Sequence, residues 1–224
     1  MSDTTHVTIC IRGEDAFEFL QAQLTADLHD LTQEHAPSSI KSAWCNPKGR
    51  VICIFDVSLA ENGYDLSLPA DLADTVVQRL TLFRFRSKVE FEIGPTTARS
   101  AATALEMLQA GIPEITLARS EEFTPHMLNL DLLNIVSLEK GCYPGQEIVA
   151  RTHYRGASKR RCCRFQSEAP GAAGDKVADE SRNVGEVVNA VGNELLAVIP
   201  VAAADSPLFV NGSRLTRLEL PYSF

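Results

Sequence analysis

The chain has 224 residues, 45% hydrophobic and 22% charged, the balance of an ordinary globular protein, with a formal net charge of −8. That length allows one large or two modest domains with a core that needs no staples. The acidic balance argues against broad nonspecific nucleic-acid binding, and no apolar run reaches membrane-spanning length. The opening MSDTTHVTIC lacks the basic region and apolar core of a secretion signal, so a cytoplasmic protein is expected.

In chain order, HVTICIRG reads as a strand and GEDAFEFLQAQL as an amphipathic helix. Phe17, Leu20 and Leu24 follow helical spacing, and Asp15 is the expected N-cap. Two β-rich runs, SSIKSAWC and RVICIFDVSL, flank the turn NPKG and predict a hairpin. ENG turns the chain into a further strand, YDLSL. DLADTVVQRLTLFRF reads as a helix and SKVEFEI as an alternating strand, after which GPTTARS breaks the pattern and AATALEMLQAG resumes a helix. The stretch IPEITLARSEEFTPHMLNLDLLNIVSL has few periodic signals. Pro144 suits the first turn of a helix that runs through GQEIVARTHYR to a terminator at Gly156.

From Ala157 onward the texture changes to short β-rich runs (KRRCCRFQ, GEVVNAVG, ELLAVIP, RLTRLEL) separated by turn residues. These predict a small β-barrel or sandwich. The expected organisation is an α+β domain over residues 1–156 and a β-barrel over 157–224.

Lys140 to Arg161, KGCYPGQEIVARTHYRGASKRR, is the segment most suggestive of chemistry. A helix starting near Pro144 would bring its positive end close to the Cys142 sulfur, and Lys140 would add a second positive charge. Both would favour thiolate over thiol, while Gly141 and Gly145 leave room for close approach. The alternative is that Cys142 is a small buried hydrophobe, and spacing alone does not choose. Gln146 and Glu147 suit either a helix first turn or the edge of a heterocycle. Arg151, Arg155, Lys159, Arg160, Arg161 and Arg164 form a basic run, read either as a solvated face or as a site for an anion.

Of the other cysteines, Cys53 is expected in the core and Cys45 exposed at the hairpin end. Only one of the adjacent Cys162 and Cys163 is expected to be buried. In a reducing compartment the six cysteines are free thiols, and they lack the spacing of a cluster held by one chain. The five histidines share no H-x-x-x-H or H-x-H spacing, so no metal is expected.

KGCYPGQEIVAR followed by YRG and KRR resembles the signature of the YgfZ-type folate-binding proteins, relatives of the glycine-cleavage T-protein associated with iron–sulfur cluster assembly or repair. FLQAQLTADL, NPKGRV, FRSKVEF, GIPEI and PHMLNLD agree in order, from about Ile9 to Arg164. The resemblance implies a T-protein-like α+β folate-binding domain followed by a small C-terminal β-barrel. Lys140, Gly141, Cys142, Tyr143, Gly145, Gln146 and Glu147 match the signature. Cys142 takes the place of the functional thiol, with Lys140 beside it. The implied cofactor is tetrahydrofolate or a one-carbon derivative, in a pocket lined in part by Tyr143, Gly145, Gln146 and Glu147. Arg151 and Arg86 are the candidates for its glutamate tail. The chain departs from many relatives in a reduced middle region, and Met107 stands where an arginine or other polar residue is often found.

The reading that follows is a folate-dependent accessory factor for iron–sulfur enzymes, some of which modify tRNA. Its partners would be those client enzymes or cluster-assembly proteins, with no membrane and no direct nucleic-acid contact expected. A tetrahydrofolate-dependent aminomethyltransferase and a non-catalytic RNA- or protein-binding module are the alternatives.

Overall fold

The computed structural model describes residues 5–156 and 158–223; position 157, where the second domain is expected to begin, lies outside them, as do residues 1–4 and 224. The chain divides into two compact units. The first takes the residues up to Arg99 with Ile115–Pro125 and Asn134–Ala150; the second takes Ser100–Glu114, His126–Leu133 and the residues from Arg151 on.

The first unit comprises β1 (Thr5–Arg12), α1 (Ala16–Gln21), β2 (Ile40–Cys45), β3 (Val51–Ala60), β4 (Gly63–Pro69), α2 (Ala73–Phe83) and β5 (Glu90–Ala98). Its strands form one antiparallel sheet in the order β2-β3-β4-β1-β5. Period-2 alternation sends Val7, Ile9 and Ile11 to one face, opposite Leu68, Leu66 and Tyr64 of β4. Phe19 and Leu20 of α1 and Val76 and Leu80 of α2 join that core. The other face carries the ion pairs Arg12–Asp65 and Lys41–Asp56.

Two predicted elements differ. Helix α1 ends at Gln21, because the chain straightens for Thr25 N–H to donate to Ala43 O and for Leu24 to bridge Trp44. Asp15 does not cap it; its carboxylate accepts from Lys88 N–H. Strand β5 runs on through the expected breaker as far as Ala98. It tolerates Pro95 because it is an edge strand, with its register to β1 shifted between Val7 and Ile9.

The second unit contains α3 (Ala101–Gln109) and, after α4 (Gln146–Arg155) crosses into it, a closed barrel. The strands are β6 (Arg160–Ser167), β7 (Lys176–Ala178), β8 (Asn183–Val191), β9 (Glu194–Pro200), β10 (Leu208–Val210) and β11 (Ser213–Leu218), ordered β10-β11-β6-β9-β8-β7. Cys163, Phe165, Val187, Leu195, Ala197 and Ile199 alternate inward. Helix α3 closes with the 6→1 and 5→2 bonds of a Schellman motif, Ile112 N–H to Met107 O and Gly111 N–H to Leu108 O, around a left-handed Gly111.

The outer wall of this barrel is also covered. Gln109 donates to Glu194, Glu114 and Asn189 exchange two hydrogen bonds, and Asn129 Nδ2 donates to Cys162 O. Cys162 and Cys163 therefore face opposite sides of β6, yet both are buried, contrary to expectation. Burial pushes the Cys163 thiol up to about 11 and Cys162 higher still.

Candidate functional site

Three segments of the first unit converge around the signature: Gln21–Ala26, the hairpin turn Asn46–Gly49, and Ser137–Gln146. Lys140 ties the first to the third. Its ammonium is buried and donates to Ala26 O (2.7 Å), Leu24 O (2.8 Å) and Gln21 Oε1 (3.2 Å). Burial lowers its pKa to about 8, against an upward pull from Asp27. Thr25 adds two more ties: its hydroxyl donates to Ile135 O and its carbonyl accepts from Ser137 N–H.

Tyr143 is buried, and the Lys140 ammonium lies 5.9 Å from its ring centroid. Burial pushes its phenol well above the usual tyrosine range, with a smaller contribution from Cys45. Cys45 is buried, not exposed at the hairpin end as expected, and burial pushes its thiol up to about 12. The hairpin end is sealed because the signature segment packs onto it.

That packing depends on two glycines. Gly145 has φ +81° and Gly49 φ +67°. A Cβ on Gly145 would lie 2.5 Å from Asn46 O and 2.7 Å from Gly49 Cα. Gly145 also sets the start of α4: the left-handed residue cannot be helical, so the helix begins at Gln146, just after Pro144, and the Gly145 carbonyl accepts from Ile148 and Val149 N–H. Gln146 Nε2 donates to Lys140 O, closing the loop on itself, and Glu147 is exposed in the first turn.

Cys142 is exposed on this pinned loop. The geometry revises the role expected for Lys140: its ammonium points at the carbonyls of Leu24 and Ala26, so it braces the loop that carries the thiol. Arg86 is exposed after α2, and Arg151 is exposed on the part of α4 that belongs to the second unit. The basic run divides. Arg161 pairs with Asp131, Arg164 with Glu194, and Arg160 donates to Val198 O, while Arg151, Arg155 and Lys159 are exposed. Met107 lies on α3 in the second unit.

Two polar atoms missed by the sequence reading stand out in the first unit. Gln23 Oε1 and Trp44 Nε1 are buried without a hydrogen-bond partner among the described residues, on segments joined by the Leu24–Trp44 bridge. One is an acceptor and the other a donor, the kind of pair that the edge of a flat heterocycle satisfies. FLQAQLTADL and the hairpin contain both residues, but nothing in the pattern marks them as unpaired.

Two further features lie in the second unit. An open cleft of about 480 Å³ is lined by residues that include Arg164, Arg217, Leu220 and Tyr222, and no residue of Tyr143–Glu147 lines it. His126, Asp131 and His153 bring ligand atoms within 4.8 Å of one another. The spacing rule for histidines could not find this group, because its members come from an irregular turn and a distant helix.

No family model matches the chain. It is 27% identical over 276 aligned residues to an uncharacterized protein of Haemophilus influenzae, covering all of this chain and 98% of that one. The alignment therefore holds at least 276 − 224 = 52 positions that this chain lacks. A protein of Aliivibrio fischeri named tRNA-modifying protein YgfZ is 25% identical, with 96% of this chain and 89% of that one covered. The protein of that name in Yersinia pestis is 37% identical over 131 residues, 52% of this chain and 40% of the other. The crystal structure of glycine cleavage system aminomethyltransferase T from Bartonella henselae superposes with a TM-score of 0.71 at 16% identity, covering 98% of this chain and 84% of that chain. That likeness is one of fold. No helix among the described residues is long and apolar enough to cross a membrane.

Proposed function

Because the chain belongs to the YgfZ/GcvT-like family, we propose that it is a folate-binding accessory protein that supports assembly or repair of iron–sulfur clusters in client enzymes. The observation that carries this reading is the exposure of Cys142 on a loop held rigid by Lys140, Tyr143 and Gly145. A thiol that passes contacts to a partner must be reachable and must keep its place, and this loop supplies both. The label "tRNA-modifying" on relatives then reflects an indirect effect, through iron–sulfur enzymes that act on tRNA.

The ligand in this reading is tetrahydrofolate or a one-carbon derivative. The unpaired Gln23 Oε1 and Trp44 Nε1 are an acceptor and a donor of the kind that a pterin edge would satisfy, and its ring would further need a flat apolar slot. Tyr143, Gly145, Gln146 and Glu147 would contribute to the wall, and Arg86 is the cation of the first unit proposed for the glutamate tail.

A bacterial strain deleted for its own homologue tests the reading. Complementation with wild type should restore the activity of cluster enzymes, and Cys142→Ala should fold yet restore little. Full rescue by Cys142→Ala would sink the thiol role. Calorimetry with tetrahydrofolate on the folded chain tests the ligand separately, and absence of heat there would sink the folate role alone.

A further inference from the structure

His126 is 2% exposed, and neither of its ring nitrogens has a hydrogen-bond partner among the described residues. A buried imidazole left unpaired forfeits its hydrogen bonds to water, so such a group calls for an explanation. Its surroundings supply one. His126 Nε2 lies 3.9 Å from Asp131 Oδ2, and its ring centroid lies 6.2 Å from that of His153. All three side chains belong to the second unit. We propose that His126, Asp131 and His153 form a binding site for a divalent transition-metal cation, with Zn²⁺ the best matched.

The chemistry of the donors fits. Two imidazoles and one carboxylate make the three-ligand set found where zinc keeps an open position, and the same set is used by non-haem iron(II).

The distances fit after a small contraction. Tetrahedral bonds of about 2.0–2.1 Å place donor atoms about 3.4 Å apart. His126 and Asp131 are half an ångström or so from that spacing, and the exposed His153 can swing to close the rest.

Asp131 is already oriented for the task. Arg161 donates to Oδ1 at 2.7 Å and to Oδ2 at 3.0 Å. Each carboxylate oxygen has a second lone pair, so the guanidinium fixes the carboxylate without blocking it. The same guanidinium opposes the charge of a cation, so the site should bind with moderate affinity.

The full chain, stripped of metal under reducing conditions, should bind one equivalent of Co²⁺ with visible d–d absorption, and Zn²⁺ should displace it. His153→Ala, an exposed change that leaves the fold intact, should weaken binding at least tenfold, and Asp131→Asn should do the same. Lack of saturable binding, binding undiminished in His153→Ala, or strong thiolate-to-cobalt charge transfer would each overturn the proposal, the last by assigning the metal to cysteines.

Discussion

Replacing Gly145 by alanine tests the junction on which the candidate site depends. The new methyl would point at backbone, with Asn46 O at 2.5 Å, Gly49 Cα at 2.7 Å and Gly49 N at 2.8 Å. None of these is the mobile end of a side chain, so the turn and the loop must part. The φ of +81° adds a left-handed penalty of about 1–2 kcal/mol, and overpacking of this kind adds about 1–3 kcal/mol. The sum is about 2–5 kcal/mol. At about 2–4 °C per kcal/mol for a chain of this size, a central loss of about 3 kcal/mol lowers the melting temperature by about 6–12 °C. The single tryptophan, Trp44, is buried in the first unit and follows its unfolding by fluorescence. If Gly145→Ala melts within about 2 °C of wild type, the turn can retreat freely and the argument that the two glycines hold the loop is wrong.

Three other outcomes follow from the same geometry. Lys140→Met leaves the carbonyls of Leu24 and Ala26 without their donor while removing a buried charge; a net loss of about 1–3 kcal/mol is expected in urea unfolding, and no loss would mean that the brace is dispensable. The Lys140 pKa of about 8 lies below its ordinary 10.5, so over that interval the unfolded chain holds more protons. The stability of wild type relative to Lys140→Met should therefore grow as pH rises from about 8 towards 10.5, and a flat difference would refute the shift. Limited iodoacetamide labelling near neutral pH, mapped by mass spectrometry, should modify Cys142 first and the half-buried Cys10 more slowly; Cys45, Cys53, Cys162 and Cys163 should react only as the chain unfolds, and equally rapid labelling of any of these would contradict their burial.

Local chemistry made much of this architecture legible. The NPKG turn between two β-rich runs announces its hairpin, and the short runs after residue 157 announce β6, β8, β9 and β11. What depends on partners distant in the chain was not legible. Helix α1 is cut short by a strand-like contact with β2, which no helical periodicity records. Residues 112–138 read as patternless because they hold only isolated 3₁₀ turns whose backbone is satisfied elsewhere, as when Val51 N–H donates to Phe123 O. The signature marked Lys140 but not the direction of its ammonium, which is set by carbonyls more than a hundred positions away. The grouping of His126 with His153 is likewise a product of tertiary folding.

The irregular margin of the first sheet bears on how copies of the chain behave in a crowded solution. A bare strand edge is a template on which another chain can pair, and long flat margins invite fibre growth. Here β5 carries Pro95, which has no N–H to offer, beside the displaced register opposite Val7–Ile9, with Glu90 and Glu92 on the same strand. The opposite margin, β2, is already met by the backbone of Leu24 and Thr25. An incoming strand would find its ladder interrupted on one side and taken on the other, so the sheet is guarded against self-assembly by its own backbone.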